Sequence, residues 1–108
     1  MEKNMNFLKF FNMKDINTGV AECAQSSGVI LDVREISEYN SGHIENSINL
    51  PLSQIEKGYV DKALLEKALF VHCQSGIRSA RATSILAKMG AVSVKDIGGI
   101  SRYKGELV

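Results

Sequence analysis

The residues that follow one strongly apolar stretch have the types needed for nucleophilic chemistry. Cys73 comes directly after Leu69–His72, and the polar loop behind it enters a helical pattern that begins near Arg78. The first N–H groups of a helix lack partners within the helix, and they form the positive end of its dipole. A loop that curls back there surrounds an anion with amide donors. A thiol at the mouth of such a loop is favoured as the thiolate, a nucleophile near neutral pH.

The loop residues themselves fit an anion-binding role. Gly76 lets the backbone turn tightly and approach a ligand without a Cβ atom in the way. Arg78 either faces the bound anion or braces the loop by pairing with a carboxylate. Ser75 and Ser79 offer hydroxyls to the sulfur or to the loop. The candidate nucleophile is therefore Cys73, and the candidate binding loop comprises Gln74, Ser75, Gly76, Ile77, Arg78 and Ser79.

The spacing of the loop discriminates between reactions. Four residues separate Cys73 from Arg78, whereas the cysteine phosphatases use a loop that is one residue longer and encircles a tetrahedral phosphoryl group. The shorter loop fits a smaller ligand, such as a single sulfur atom added to the cysteine. A phosphatase or arsenate reductase is thus disfavoured, and a catalytically dead interaction domain is disfavoured because the cysteine is present.

Strands and helices alternate along the chain and would position this loop. Four apolar runs and one weaker run predict strands: Val29–Val33, Ser47–Leu50, Leu69–His72, Val92–Asp96, and residues near Phe10–Met13. Apolar stripes predict helices between them: Ile16 to Ala24 ending near Gly28, Val60 to Leu65, and Arg78–Met89 with Gly90 as the stop. Alternation of this kind is typical of a mostly parallel α/β sheet, whose ligands bind beyond the carboxyl ends of the strands.

Composition excludes several classes of function. The 108 residues suffice for one domain, and the net charge of +1 without a basic patch argues against nucleic-acid binding. No apolar run approaches the roughly 20 residues that span a bilayer, and lysine and asparagine interrupt any export signal near the N-terminus. We therefore expect a cytoplasmic protein that does not bind membranes. Cys23 lies on an apolar helical stripe and is expected in the core.

Several further motifs make the chain resemble the rhodanese family. They comprise Leu31 to Glu35, Glu38-Tyr39, Ser41 to Ile44, Ser47 to Leu52, and Val94 to Ile100 with its glycine pair. Together with the cysteine loop they cover about residues 12 to 104, in the family's order. Each motif alone is weak, but the series is specific.

The resemblance implies a single rhodanese-like domain over residues 1–108, with about residues 1–10 as a loosely ordered N-terminal segment. The implied fold is a central, mostly parallel five-stranded sheet with helices on both faces. The implied activity is a ping-pong sulfur transfer through a Cys73 persulfide, without a metal or other cofactor. The donor would be thiosulfate, polysulfide or a persulfide, and the acceptor cyanide, a thiol or a sulfur-accepting protein. The backbone N–H groups from Gln74 to Ser79 would stabilise the persulfide.

Five residues near the motifs are expected to support the loop: Asp32, Arg34, Glu35, His43 and His72. A carboxylate after a buried strand, Asp32, is hypothesised to lock Arg78, and His43 is expected to pin a loop. His72 either tunes the nucleophile or is structural, because a neighbouring side chain on a strand points to the opposite face.

Two points about function stay open at this stage. Many family members carry an aromatic residue or methionine where this chain has Ile100, a change that would alter the pocket lining or the choice of acceptor. An alternative to enzymatic turnover is a persulfide carrier or redox-sensing module that delivers sulfur to a protein partner, since both functions need the same loop. The absence of a second domain over the pocket favours protein or small-thiol acceptors.

Overall fold

The structure is a computed structural model that describes residues 14–108. It contains four strands, β1 (Val29–Asp32), β2 (Ile48–Asn49), β3 (Ala68–Cys73) and β4 (Ser93–Gly99). They form one sheet in the order β2-β1-β3-β4, and every pairing is parallel. The predicted parallel α/β sheet is thus confirmed, with four strands in the described residues where five were expected. The fifth expected strand, near Phe10–Met13, and the expected loose segment of about residues 1–10 lie outside the described residues.

The two central strands are apolar on both faces because both faces of the sheet are covered. Leu31 of β1 and Val71 of β3 are fully buried on one face, and Ile30 and Phe70 are buried on the other. This is the burial expected for inner strands of a parallel sheet with helices on each side. It explains why these runs lack the apolar–polar alternation of a half-exposed strand.

The register brings the carboxyl ends of three strands to one edge of the sheet. Asp32 lies opposite His72, and Cys73 lies opposite Gly99. A β-bulge between Val71 and His72 shifts the pairing with β4, so that β4 has one extra residue there. A bulge re-aims the side chains that follow it, and here it stands immediately before Cys73.

Two long helices and one short helix agree with the predicted pattern. They are α1 (Ile16–Ser26), α4 (Lys62–Leu65) and α5 (Ile77–Lys88). The side chain of Asp15 caps α1 by accepting a hydrogen bond from the Asn17 N–H. The helix ends at Ser26, near Gly28 as expected, and its C-cap Ser27 takes the left-handed conformation, with φ of 59°. The N–H of Ser27 bonds the Cys23 carbonyl, which satisfies the helix end without glycine.

Two further helices were not predicted from the sequence. These are α2 (Ile36–Asn40) and α3 (Leu52–Glu56), each five residues long. Barely more than one turn offers too few positions for an apolar stripe to be recognised. A 3₁₀ turn, Ile100–Arg102, follows β4.

Helices cover both faces of the sheet, as expected, and enclose two apolar clusters. One contains residues of β1, the loop after it, β3, α3 and α5: Leu31, Val33, Ile55, Leu69, Val71, Cys73, Ala82 and Leu86. The other contains residues of α1, the sheet, the loop before β2 and the segment after β4: Ile16, Cys23, Ile30, Ile44, Phe70, Ile97 and Ile100. Burial in the second cluster raises the pKa of the Cys23 thiol. Within residues 14–108, no helix is both long and apolar enough to cross a membrane.

Candidate active site

Cys73 ends β3, and a short loop leads from it into α5. Its Sγ accepts a hydrogen bond from the Gly76 N–H, with an N···S distance of 3.0 Å. Gly76 has φ of 107°, in the left-handed region that favours glycine. A Cβ atom there would come no closer than 3.8 Å to its neighbours. The turn, rather than a close approach, therefore requires the glycine.

The loop and the first turn of α5 also contain amide groups without partners in the part of the chain that the structure describes. Among residues 14–108, the N–H groups of Ser75, Ile77, Arg78 and Ser79 have no hydrogen-bond acceptor. A helix of twelve residues concentrates partial positive charge on these groups. Amides without partners at a helix N-terminus bind anions readily.

The Cys73 side chain was expected at the mouth of the loop, but it is fully buried. Its exposure is 0%, whereas Ile77 in the loop is 79% exposed. Gln74 and Ser75 are also exposed. A donor molecule can therefore reach Sγ only when the loop residues shift, and the loop both holds and shields the thiol.

The last residues of β4 pack against the backbone of the loop. A Cβ atom on Gly99 would lie 2.5 Å from the Gln74 carbonyl oxygen and 2.8 Å from Ser75 backbone carbon. The Ser101 N–H donates to the same Gln74 oxygen at 3.2 Å. Gly99, the second glycine of the pair noted in the sequence, thus allows the backbones of β4 and the loop to touch.

Arg78 braces the loop against α2. Its guanidinium donates two hydrogen bonds to the Glu38 carboxylate, from Nη1 to Oε1 at 2.7 Å and from Nη2 to Oε2 at 3.0 Å. The Glu35 N–H donates to the same Glu38 Oε1 at 2.9 Å. The paired guanidinium lowers the pKa of Glu38 to about 2, and the carboxylate raises the pKa of Arg78.

The hypothesis that Asp32 locks Arg78 was wrong, because Asp32 binds Arg34. The Arg34 Nε donates to Asp32 Oδ1 at 3.0 Å, and its Nη2 donates to Oδ2 at 2.7 Å. Arg34 Nη2 also donates to the Gly42 carbonyl at 2.9 Å. Asp32 and Arg34 are only two residues apart in the chain, so Asp32 pairs with this neighbour rather than with Arg78. The pair is buried, and it fixes the loop after β1.

The two histidines lie apart from the thiol group itself. His43 stacks on Tyr39 with ring centroids 3.8 Å apart, and its Nδ1 lies 3.0 Å from the Tyr39 carbonyl oxygen. The buried His72 points to the face of the sheet opposite Cys73, with Nδ1 3.0 Å from the Cys73 carbonyl oxygen. Since that oxygen only accepts, Nδ1 carries the proton. Burial lowers the pKa of His72, although Asp32 lies 3.6 Å from its Nε2.

Two site residues were missed by sequence reasoning. Glu38 was noted only as part of a motif, and Asp96 was not singled out. Asp96 Oδ1 accepts hydrogen bonds from the Ser79 hydroxyl at 2.8 Å and from the Gly98 N–H at 3.0 Å. Both residues act through partners 40 and 17 positions away in the chain, which no local pattern reveals. A carboxylate two residues before a glycine pair at a strand end was the available signal for Asp96.

The arrangement supplies a thiol, amide donors and a clamped loop. No group of three or more His, Cys, Asp or Glu side chains within residues 14–108 is arranged to hold a metal ion. The chemistry that this set of groups supports is nucleophilic attack by Cys73, with the resulting anion held by the amides at the start of α5.

Comparisons with known proteins identify the family of the chain. The family described as "Rhodanese-like domain" matches residues 15–106. The chain is 35% identical over 77 residues to the thiosulfate sulfurtransferase GlpE of Coxiella burnetii, covering 70% of this chain and 71% of that protein. It is 34% identical over 79 residues to the uncharacterized protein YqhL of Bacillus subtilis, covering 72% of this chain but only 62% of YqhL. The chain thus spans less than two thirds of that relative.

A solved structure of similar fold is a rhodanese-related protein from Thermoplasma volcanium. It is 35% identical, with a TM-score of 0.66, and the match covers 82% of this chain and 90% of that one. The match therefore covers most of this chain and most of that protein.

Proposed function

Because the chain belongs to the rhodanese-like domain family, we propose that it is a sulfurtransferase that carries sulfur on Cys73. The observation that carries the proposal is the hydrogen bond from the Gly76 N–H to Cys73 Sγ, beside unpartnered amides at the start of α5. These donors favour an anionic sulfur at this position.

The reaction has two steps with a covalent intermediate. Cys73 Sγ attacks the outer sulfur of thiosulfate, a polysulfide or a persulfide, and a new S–S bond forms. The bond between that sulfur and the rest of the donor breaks, and its electron pair leaves with sulfite or the donor thiolate. Cyanide or a thiolate then attacks the outer sulfur, and the electron pair of the Cys73 S–S bond returns to Sγ. The steps alternate as in other covalent catalysis.

The loop has a separate role in each state of the cysteine. In the resting protein the Gly76 N–H donates to Sγ, and in the persulfide the charge resides on the outer sulfur, one bond further out. The unpartnered N–H groups of Ser75, Ile77 and Arg78 are the donors that this outer sulfur would meet when the loop adjusts. The pair between Arg78 and Glu38 keeps the first turn of α5 in place.

The mass of the intact protein after exposure to thiosulfate tests the proposal. We expect a gain of one sulfur atom that a thiol reverses. Cys73→Ser should show no gain, and Cys23→Ser, the matched control, should behave as the wild type because Cys23 lies in the core. A gain that survives Cys73→Ser, or no gain with thiosulfate, polysulfide or glutathione persulfide, would contradict the assignment.

A second candidate is a persulfide carrier that delivers sulfur to a protein partner. The observation that favours it is the complete burial of Cys73 beside the 79% exposed Ile77, because an apolar side chain on the loop offers a contact through which a partner opens it. Steady-state turnover of thiosulfate and cyanide separates the two. Many turnovers per protein support the enzyme, whereas a stable persulfide that cyanide discharges only slowly supports the carrier.

The cellular setting forms part of the proposal. Both cysteines are free thiols, and a free reactive thiol persists in a reducing compartment. We therefore propose that the protein works in the cytoplasm, on small sulfur donors and thiol acceptors.

A further inference from the structure

A chain of hydrogen bonds leads from the thiol into β4. The Cys73 Sγ lies 3.6 Å from the Ser79 Oγ, and the Ser79 Oγ donates to Asp96 Oδ1 at 2.8 Å. Cys73 and Ser79 are fully buried, and the Asp96 side chain is only 10% exposed. Water therefore screens the three groups little, and their hydrogen bonds must be satisfied by other groups of the protein.

The Ser79 hydroxyl has a single hydrogen to donate. Three acceptors lie within reach: Asp96 Oδ1 at 2.8 Å, the Gly76 carbonyl at 3.1 Å and the Gly98 carbonyl at 3.4 Å. Asp96 is the nearest, and a charged acceptor forms the strongest hydrogen bond. Because the hydrogen points to Asp96, a lone pair of Ser79 faces Cys73, and Ser79 accepts the S–H of the thiol.

Asp96 is held in the orientation that this requires. The Gly98 N–H donates to Oδ1 at 3.0 Å, and Lys14 Nζ lies 3.3 Å from Oδ2 as an ion pair. Oδ2 has no further hydrogen-bond partner among the described residues. The carboxylate is thus fixed on one side by the backbone of β4, and its charge is partly offset by Lys14, which is 54% exposed.

We propose that Asp96 is a positioning residue which, through the Ser79 hydroxyl, holds resting Cys73 as the thiol and restrains its reactivity. The proposal deepens the proposed function, on which it rests for its biological purpose. The Gly76 amide and the dipole of α5 favour the thiolate, whereas Ser79 as an acceptor and the nearby carboxylate favour the thiol. After sulfur transfer Sγ has neither hydrogen nor charge, so the restraint acts only on the sulfur-free cysteine.

The other charged side chains near these atoms have ion-pair partners of their own or lie on the opposite face of β3. Lys14 precedes α1 and pairs with Asp96, and Arg78 at the start of α5 is paired with Glu38. His72 lies on the opposite face of β3, beside the buried pair of Asp32 and Arg34. Asp96 is therefore the carboxylate that the hydrogen bonds connect to the thiol.

Alkylation of Cys73 by iodoacetamide across a range of pH tests the proposal, with peptide mass spectrometry to separate Cys73 from Cys23. Asp96→Asn keeps an oxygen for Ser79 and the Gly98 N–H but removes the charge. We expect alkylation near pH 7 to become about ten-fold faster, the effect of removing a like charge near a titrating group. At alkaline pH the two rates should converge.

Lys14 provides a variant with the opposite sign. Lys14→Met removes the cation that offsets Asp96, so alkylation near pH 7 should become about two- to five-fold slower, in keeping with a partly exposed pair. In the double variant with Asp96→Asn, the lysine change should have no further effect. Ser79→Ala, which removes the acceptor, should raise the rate as Asp96→Asn does, by a smaller factor.

Asp61→Asn is the matched control, since Asp61 is an exposed helix cap and asparagine caps equally well. It should leave the alkylation profile unchanged. A slower alkylation of Asp96→Asn at low pH would show instead that Asp96 accepts the thiol proton, and an unchanged profile would show a purely structural residue. Either result overturns the proposal. Because alkylation needs no sulfur donor, it can fail or succeed independently of the proposed sulfur transfer.

Discussion

Gly76 makes two contributions to the loop around Cys73. Its left-handed backbone conformation turns the chain into α5, and this turn aims its own N–H at Sγ. The two contributions come from the backbone alone, which is why a residue without a side chain suffices. The cost of placing an L-residue in this conformation and the loss of the aimed amide can be separated by experiment.

We predict that Gly76→Ala destabilises the protein by roughly 1–2 kcal/mol, the cost of the left-handed conformation for an L-residue. We also predict slower persulfide formation, because relief of the strain moves the amide away from Sγ. Urea unfolding and mass spectrometry after a thiosulfate pulse measure the two effects. Gly58→Ala is the matched control, with φ of 83° and open space around it. It should lose similar stability and form the persulfide at the wild-type rate.

A second residue-scale prediction concerns the close contact of the loop with β4. Gly99→Ala would place a Cβ atom 2.5 Å from the Gln74 oxygen and 2.8 Å from the Ser75 carbonyl carbon. Both are backbone atoms, which cannot rotate away as a side chain could. We expect the loop to be displaced and persulfide formation to fall by at least about ten-fold, as misplacement of a catalytic group commonly does. Gly90→Ala, strained but without close neighbours, should keep the activity. An active Gly99→Ala protein would show that the loop tolerates a shift.

At the scale of elements, the pair between Glu38 and Arg78 joins α2 to α5. Each side chain is 33% exposed, so solvent screens the pair and its contribution to stability should be about 1 kcal/mol or less. Its larger effect is on geometry, because the guanidinium holds the turn that carries the loop amides. Arg78→Ala should therefore weaken donor binding more than it lowers global stability, as measured by the thiosulfate KM against the urea midpoint.

The same pair predicts a pH dependence. The pKa of Glu38 falls from 4.5 to about 2 on folding, so the folded state binds fewer protons than the unfolded chain between those values. The stabilisation is complete above pH 4.5 and is lost as the pH falls toward 2. The stability difference between wild type and Glu38→Gln should shrink over this window in urea unfolding. Glu45→Gln, an exposed carboxylate outside the loop, is the control, and a difference that persists to pH 2 would contradict the pairing.

Local sequence patterns predicted some of the helices and strands but not others. Strong apolar runs predicted β1 and β3, and a long stripe with Gly90 predicted α5. The short helices α2 and α3 were missed because five residues hold too little periodicity. The partners of Arg78 and Ser79 were missed for a different reason, since Glu38 and Asp96 meet them only through the parallel pairing of the strands. The local sequence thus predicted the thiol and the amide donors of its loop. It did not predict the carboxylates of Glu38 and Asp96, which bind Arg78 and Ser79.

Across the whole molecule, a layer of buried polar side chains lies near the carboxyl ends of β1 and β3. Asp32, Arg34 and His72 are all buried there. Such groups stabilise a fold only while each keeps its partner and charge state. The layer therefore links the stability of the whole domain to pH.

His72 predicts the sign of that link. Burial lowers the pKa of His72 below its ordinary 6.5, so the unfolded chain binds a proton that the folded chain excludes. Stability should be greatest above pH 6.5 and should decrease as the pH falls below it. His72→Asn, which retains an N–H donor near the Cys73 carbonyl, should flatten the curve of unfolding free energy between pH 7 and 5. An equally steep curve in the variant would show that another group is responsible.

The strand order has a consequence for how the chain folds. The chain between β1 and β2 contains α2, and the chain between β3 and β4 contains α5. Each of these two halves, β1-α2-β2 and β3-α5-β4, therefore pairs its strands over a short connection. The pairing of β1 with β3 joins the halves and spans the longest connection. We expect the β1–β3 pairing to form last, because the loop-closure entropy is lost before the stabilising contacts are made. The cysteine loop belongs to one half and its Glu38 clamp to the other. We therefore expect Cys73 to gain protection from alkylation in the final refolding phase, when the halves dock.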